Sequence, residues 1–291
     1  MNDYLKEITK GCSTYKYHDF PSIHAFIEYI EKKPTNYIWE NRNLSSKSGS
    51  KSFTDTNSFE EAIKLLREGW TTKAEQITKT MKNLKVENKN TFKSNFNVVG
   101  GNCSVPRYLQ GVPTNMIEQK RVQQKSKIIT ITKCTYYNCQ YSSEQIYNNS
   151  IKVLQIIDIL EKNGYRCNLN IMLGCDVNHT LNDTNPKDEF VMKVRIKNAN
   201  ERLNISKLAF PLIHPSMIRR LYFRSMEVSP IISNSGFISG YGGPLDNSHH
   251  DTHSTKKADR YNKYLEPNEI RLPLIIGNVE DYVRSFIEGT K

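Results

Sequence analysis

Between residues 127 and 177 the spacing of apolar positions changes period twice, and each change marks an element. Residues 127–140 (KIITITKCTYYNCQ) are dense in β-branched and aromatic side chains, which fit a pleated and largely buried strand. From there Ile146, Ile151, Val153, Leu154, Ile157 and Leu160 fall at helical spacing, with Asn148, Asn149, Lys152, Gln155 and Lys162 on the opposite face. Ser142 or Ser143 can cap this helix, Glu144 and Gln145 suit its first turn, and Gly164 stops it. A second apolar run, 165–175 (YRCNLNIMLGC), follows at once. Strand, helix and strand in this order have the length of a parallel crossover unit.

The pattern continues outward from this unit. Phe190, Met192, Val194 and Ile196 alternate with Val191, Lys193, Arg195 and Lys197, which predicts an antiparallel edge strand with one solvated basic face. Residues 205–228 predict a helical segment interrupted by Pro211 and Pro215, with Met217, Leu221, Phe223 and Met226 toward the sheet and Arg219, Arg220 and Arg224 gathered nearby. A strand over 269–277 and a helix over 279–289 close the chain. Toward the N-terminus the spacing predicts helices over 22–32, 58–70 and 72–84, the second opened by a capping box of Ser58 with Glu61 and stopped by Gly69. Residues 41–57 are rich in Ser, Asn and Lys and have too little apolar surface to order themselves. Residues 97–116, with glycines and prolines around Arg107 and Tyr108, read as a linker across the core. The expected fold is α/β. A helical N-terminal module over 1–116 precedes a core over 117–291, whose mostly parallel sheet carries helices on both faces.

Charge adds the first functional direction. Lys and Arg number 41 against 30 Asp and Glu, a net charge of +11, so the expected partner is nucleic acid or an acidic protein surface. Arg107, Tyr108, Lys193, Arg195, Lys197, Arg219, Arg220 and Arg224 are the candidate binding residues, and Tyr136, Tyr137 and Tyr222 interleave with them. No recognised DNA-binding motif accompanies them, so sequence-specific readout is not expected. The six cysteines form no CxxC pair, and no window has the apolar length of a signal peptide or a membrane span; a reducing cytoplasm and no membrane are expected.

Two constellations invite chemistry. Residues 240–253 (GYGGPLDNSHHDTH) bring Asp246, His249, His250, Asp251 and His253 into one short stretch with the donors of a transition-metal site. The spacing does not set two histidines on one helical face as HExxH does, so neither a metal nor a cofactor is expected. Cys139 or Cys175 with His214 and Asp176 sketches a nucleophile, base and acid without a local motif, and an enzyme ranks last among the readings.

The order of elements is similar to that of von Willebrand factor A-like folds. Their metal-binding Asp-x-Ser-x-Ser loop has no counterpart in 135–143 (TYYNCQYSS), which contains no aspartate, so metal-dependent adhesion is not implied. Three phrases, SFTDTNSFEEAIKLLREGW (52–70), VPRYLQGVPTNM (105–116) and NNSIKVLQIIDILEKNGYRCNL (148–169), resemble a family of proteins from bacteriophages and related mobile elements. The likeness runs from Lys51 to Tyr241, with Asn148 and Asn149 in place of an Arg-Gly-like pair and Asn168 in place of an acidic residue. It implies a phage setting, in the host cytoplasm or in the virion. The expected function is a non-catalytic binding protein acting on nucleic acid or a nucleic-acid machine. The alternatives are a virion or assembly structural component that uses the same surface to join neighbours, including copies of itself in a homo-oligomer, and an inhibitor of a host defence protein.

Overall fold

The computed structural model describes residues 4–10, 13–34, 44–81, 92–121, 127–137, 141–176, 189–230, 241–245 and 260–289. In chain order the elements are β1 (Leu5–Lys10), β2 (Ser13–Phe20), α1 (Ile23–Ile30), α2 (Ser45–Ser48), α3 (Lys51–Thr54), α4 (Phe59–Glu68) and α5 (Thr71–Met81). Then come β3 (Phe92–Asn97), β4 (Asn102–Cys103), α6 (Val105–Leu109), β5 (Met116–Arg121), β6 (Ile128–Cys134), α7 (Ser143–Lys162), β7 (Arg166–Asp176) and β8 (Glu189–Lys197). The rest are α8 (Ile205–Ile213), a wide π-helical stretch (Met217–Tyr222), α9 (Phe223–Val228), β9 (Gly243–Pro244), a 3-10 turn (Tyr261–Tyr264), β10 (Glu269–Leu272) and α10 (Val279–Gly289).

The crossover unit forms as its periodicity requires. β6 and β7 pair in parallel with Ile131 opposite Leu169, and α7 connects them. Ser142 accepts the Gln145 N–H while the Gln145 side chain accepts the Ser142 N–H, so two free donors of the first turn are satisfied reciprocally. Leu154 and Ile157 are fully buried against the sheet. α4 is capped by Ser58, which accepts the Glu61 N–H at 3.1 Å, but the Glu61 carboxylate turns to the Asn57 N–H instead of completing the box. Gly69 ends that helix at φ 100°, and a Cβ there would stand 2.9 Å from the Ser206 carbonyl carbon, so only glycine fits.

The large sheet has the order β1-β2-β8-β7-β6-β10, with β9 added on β7. It is mixed: β2-β8, β6-β7 and β6-β10 are parallel, while β1-β2, β7-β8 and β7-β9 are antiparallel. Three expectations are corrected here. The antiparallel pairing of β8 with β7 forms, but β8 lies inside the sheet because β2 takes its other side. The first residues are not part of a helical module, since β1 and β2 join this sheet and α1 and α4 pack in its main core. Among the described residues, the long helices do not cover both faces either. The described sheet residues of that core, Ile131, Leu169, Ile171, Phe190, Met192 and Val194 among them, share one face with all the long helices. The opposite face carries a smaller cluster of Tyr17, Cys134, Met172, Val191, Leu245, Tyr261 and Tyr264 beside a polar layer. The alternation in β7, with Asn168 and Asn170 between Cys167, Leu169 and Ile171, is why that face cannot be wholly apolar. A separate three-stranded sheet, β3-β5-β4, replaces the expected linker.

Candidate functional site

On the second face of the sheet polar side chains of three strands, β6, β7 and β8, converge on Glu269 of β10. Its Oε1 accepts hydrogen bonds from the Thr132 hydroxyl and from the Asn170 amide, and its Oε2 accepts from Lys193 Nζ at 3.0 Å and from the Glu266 N–H at 3.1 Å. Burial alone pushes the Glu269 carboxyl up, but the Lys193 ammonium and these donors outweigh it and hold the group below the ordinary carboxylate range. Lys193 reaches Asp19 at 3.8 Å, Asp19 pairs with Lys6 at 2.5 Å, and Arg195 Nε donates to Asn170 Oδ1 at 3.0 Å. Four donors fill the lone pairs of Glu269, so the carboxylate has no capacity left for a metal or a proton-transfer partner. Glu189 is used in the same way. Arg260 donates to its Oε1, while Tyr264 and Lys263 reach its Oε2 at 2.8 Å, which anchors the 3-10 turn to the end of β8.

The expected basic face therefore does not form from these residues. Lys193 lies 3% exposed within the layer, and Lys197 is buried with its ammonium on Glu161 Oε1 and on the carbonyls of Cys167, Asn198 and Glu201. Arg195 alone of the three is half-exposed. The arginines after α8 are turned inward too. Arg220 is fully buried, and its guanidinium donates to Thr56 Oγ1 and to the carbonyls of Ser46, Lys47, Gly49 and Thr56. Arg224 donates to the carbonyls of Ile30 and Lys32 and pairs with Glu227, which also accepts from Ser46 and Tyr241. Arg219, half-exposed, lies 4.4 Å over the Phe53 ring and donates to the Phe53 carbonyl. Residues 44–57, which cannot order themselves through apolar burial, are thus organised around a buried cation.

The catalytic-type groups are likewise committed. His18 Nε2 lies 2.8 Å from Ser229 Oγ, but both are buried, and desolvation lowers the imidazole to about 4, so it is neutral at pH 7. His214 accepts the Ser216 N–H at Nδ1, packs between Phe210 and Trp70, and points Nε2 toward Asp55; burial lowers it to about 4 as well. It is not joined to Cys175, which is fully buried in β7 beside Tyr136 and Tyr222. Cys139 and the metal candidates Asp246, His249, His250, Asp251 and His253 lie outside the described residues. Among the described residues no group of three His, Cys, Asp or Glu could hold a metal ion, and no helix is long and apolar enough to cross a membrane. An open depression of 540 Å³ beside Ile128 and Arg166 has one wall, Asn168, already bonded to Thr130 and to the Ala199 N–H.

The small sheet presents the opposite situation. No described side chain between residues 94 and 119 is buried. Phe96, Val98, Val99, Val105, Tyr108 and Leu109 are all exposed, Tyr108 by 64% and Leu109 by 78%. Gly100 makes the fold of this unit possible, because a Cβ there would lie 2.5 Å from the Ile117 carbonyl oxygen. Arg107 sits with its guanidinium carbon 3.9 Å over the Phe96 ring and donates to the Thr114 carbonyl at 3.0 Å. At the base of the ribbon the register sets Lys93 opposite Lys120 and Phe92 opposite Arg121. Two of the sequence candidates, Arg107 and Tyr108, therefore belong to one exposed unit, and its apolar surface was hidden from sequence reasoning because 97–116 carries no periodicity.

The family model described as "Domain of unknown function (DUF7192)" matches residues 7–281, and the chain belongs to that family. The match spans the large sheet and the small one alike. Searches of the curated proteins and of the solved structures return no match.

Proposed function

We propose that this DUF7192 member is a non-catalytic binding protein that engages nucleic acid, alone or within a nucleic-acid machine, through the small sheet and not through the face of β8. The observation that carries the reading is the register of β3 and β5, which sets Lys93 against Lys120 at the base of the ribbon, with Arg121 the next position on its other face. Like charges directly opposite one another destabilise a strand pair, and a bound polyanion relieves that repulsion. Over residues 92–121 the cations Lys93, Arg107, Lys120 and Arg121 face a single carboxylate, Glu118. The likeness to phage and mobile-element proteins supports a setting in the cytoplasm of an infected cell or in a virion. The strand order β8-β7-β6-β10, with β8 antiparallel, supports a von Willebrand A-like core.

A protein neighbour, whether another copy of this chain or a host defence protein, is the second reading. The exposed Val98, Val99, Val105 and Leu109 favour it. Fluorescence anisotropy of the full chain with DNA and RNA oligonucleotides at roughly 50 and 200 mM salt separates the two. Binding is expected, steeply weakened by salt, and Lys93→Gln/Lys120→Gln/Arg121→Gln should flatten the log–log slope by about three. An unchanged slope in that variant moves the phosphate contacts elsewhere; no binding of either nucleic acid at the lower salt hands the small sheet to a protein partner.

A further inference from the structure

Resting on the reading that the small sheet meets nucleic acid, we infer that its ligand is a single strand, held by base stacking on Tyr108 and on the Arg107–Phe96 pair. Phosphate contacts alone do not distinguish a duplex from a single strand; exposed flat surfaces do, because a duplex keeps the faces of its bases stacked inside. The small sheet has two such surfaces. The Tyr108 ring is 64% exposed on α6, a helix with no buried residue. One position before it, the Arg107 guanidinium lies 3.9 Å over the Phe96 ring and is tied to the Thr114 carbonyl at 3.0 Å. Phe96 is itself 51% exposed. A guanidinium fixed on a ring extends that ring as a cationic plane on which a base can stack.

The cations complete the arrangement. Position 96 shares a face of the ribbon with position 92 and its register partner Arg121, about 13 Å away in extended backbone, while positions 93 and 120 take the other face. A strand of nucleic acid lying along that face meets the cationic position 121 at the base of the ribbon and the stacking surfaces farther out. That division, charge for the backbone and aromatic planes for the bases, is the general chemistry of single-strand recognition without sequence preference. The exposed Val98 and Val99 lie in the β3-β4 connection, beyond Phe96.

The test compares labelled dT20 and U20 with a duplex of equal length, on the full chain at about 50 mM salt. Single strands of either sugar should bind about tenfold or more tightly than the duplex, and Tyr108→Ala should lower single-strand affinity by about tenfold while leaving the duplex unaffected. Tyr108→Phe, which keeps the ring, should retain the affinity. Arg107→Lys keeps the charge and loses the plane, so it should weaken single-strand binding with an unchanged salt slope. Far-ultraviolet circular dichroism and melting confirm that each variant is folded. Equal binding of duplex and single strand, with Tyr108→Ala silent, overturns the inference and leaves the proposed nucleic-acid function standing. Absence of binding to every probe overturns both.

Discussion

Glu269 and Lys193 illustrate how a charged residue on a strand becomes structural. Each is almost completely buried, and each has the other as a partner at 3.0 Å. Glu269→Ala leaves a buried ammonium with Asp19 at 3.8 Å and the Tyr17 ring at 5.6 Å as its remaining partners, so urea denaturation should show a loss of about 3–5 kcal/mol. Replacing both, Lys193→Met with Glu269→Leu, should cost less than the two single changes summed, because no uncompensated charge remains. Additive losses would mean that the pair is not coupled. The buried histidines set a pH dependence of their own. His18 and His214 stay neutral in the fold down to about 4, while in the unfolded chain they take up a proton near 6.5. The unfolded state then binds more protons between those values, so stability is full above 6.5 and falls as the pH drops toward 4. The loss is on the order of 3 kcal/mol per histidine at most. Glu269, held below its ordinary value, adds a further loss at still lower pH as it takes up a proton. Melting temperatures recorded from pH 7 to 4 should decline through this window, and His18→Gln should make the decline shallower.

Among the elements, β7 carries the most constraints. It pairs with β6, β8 and β9, its odd positions enter the main core, and Gly174 lets the closing segment cross its other face. A Cβ on Gly174 would stand 2.6 Å from Leu245 Cδ1 and 2.7 Å from Tyr261 Cε1, and the Tyr261 hydroxyl donates to the Gly174 carbonyl at 3.0 Å. Gly174→Val should therefore lift the 3-10 turn from the sheet at a cost of about 1–3 kcal/mol, the range for an overpacked contact. Hydrogen exchange would report it as faster exchange over residues 260–264 with α7 unchanged. Equal protection in both proteins would show that the close approach does not hold that segment. Helix α7, by contrast, was legible almost to the residue. Its cap, stripe and stop all lie within twenty-odd consecutive positions, and local sequence determines them.

At the scale of the whole molecule the net charge of +11 divides into two populations. Lys193, Lys197, Arg220 and Arg224 are spent inside, joining strands to one another and the segments at 30–32 and 44–57 to the helices after α8. The cations of the small sheet belong to a unit that has no buried side chain among its described residues. Because Phe92 and Arg121 are register partners across the ribbon, residues 93–120 can be replaced by a short turn, which takes away Lys93, Lys120, Phe96, Arg107 and Tyr108 together. That deletion should change stability by no more than about 1 kcal/mol, as changes remote from a core do, and it should remove nucleic-acid binding. A large drop in melting temperature would instead make the small sheet part of the main body.

Over residues 128–228 sequence alone marked which segments become strands and helices, since periods of 2.0 and 3.6 residues and the capping residues act within a few positions of one another, but it did not mark β1 and β2. It also marked Arg107 and Tyr108. It did not determine which polar faces meet water. The alternation in β8 reads the same whether Lys193 and Lys197 point to solvent or to carboxylates, and only β2, Glu269 and Glu161, brought from distant parts of the chain, decided the matter. Arg220 stands on a helical face that looks solvated until residues 46–56 fold over it and supply five acceptors. Periodicity records that an element has two unlike faces; what covers the polar one is a property of the assembled chain, because charge is cheap to bury only where donors and acceptors converge from elsewhere in the fold.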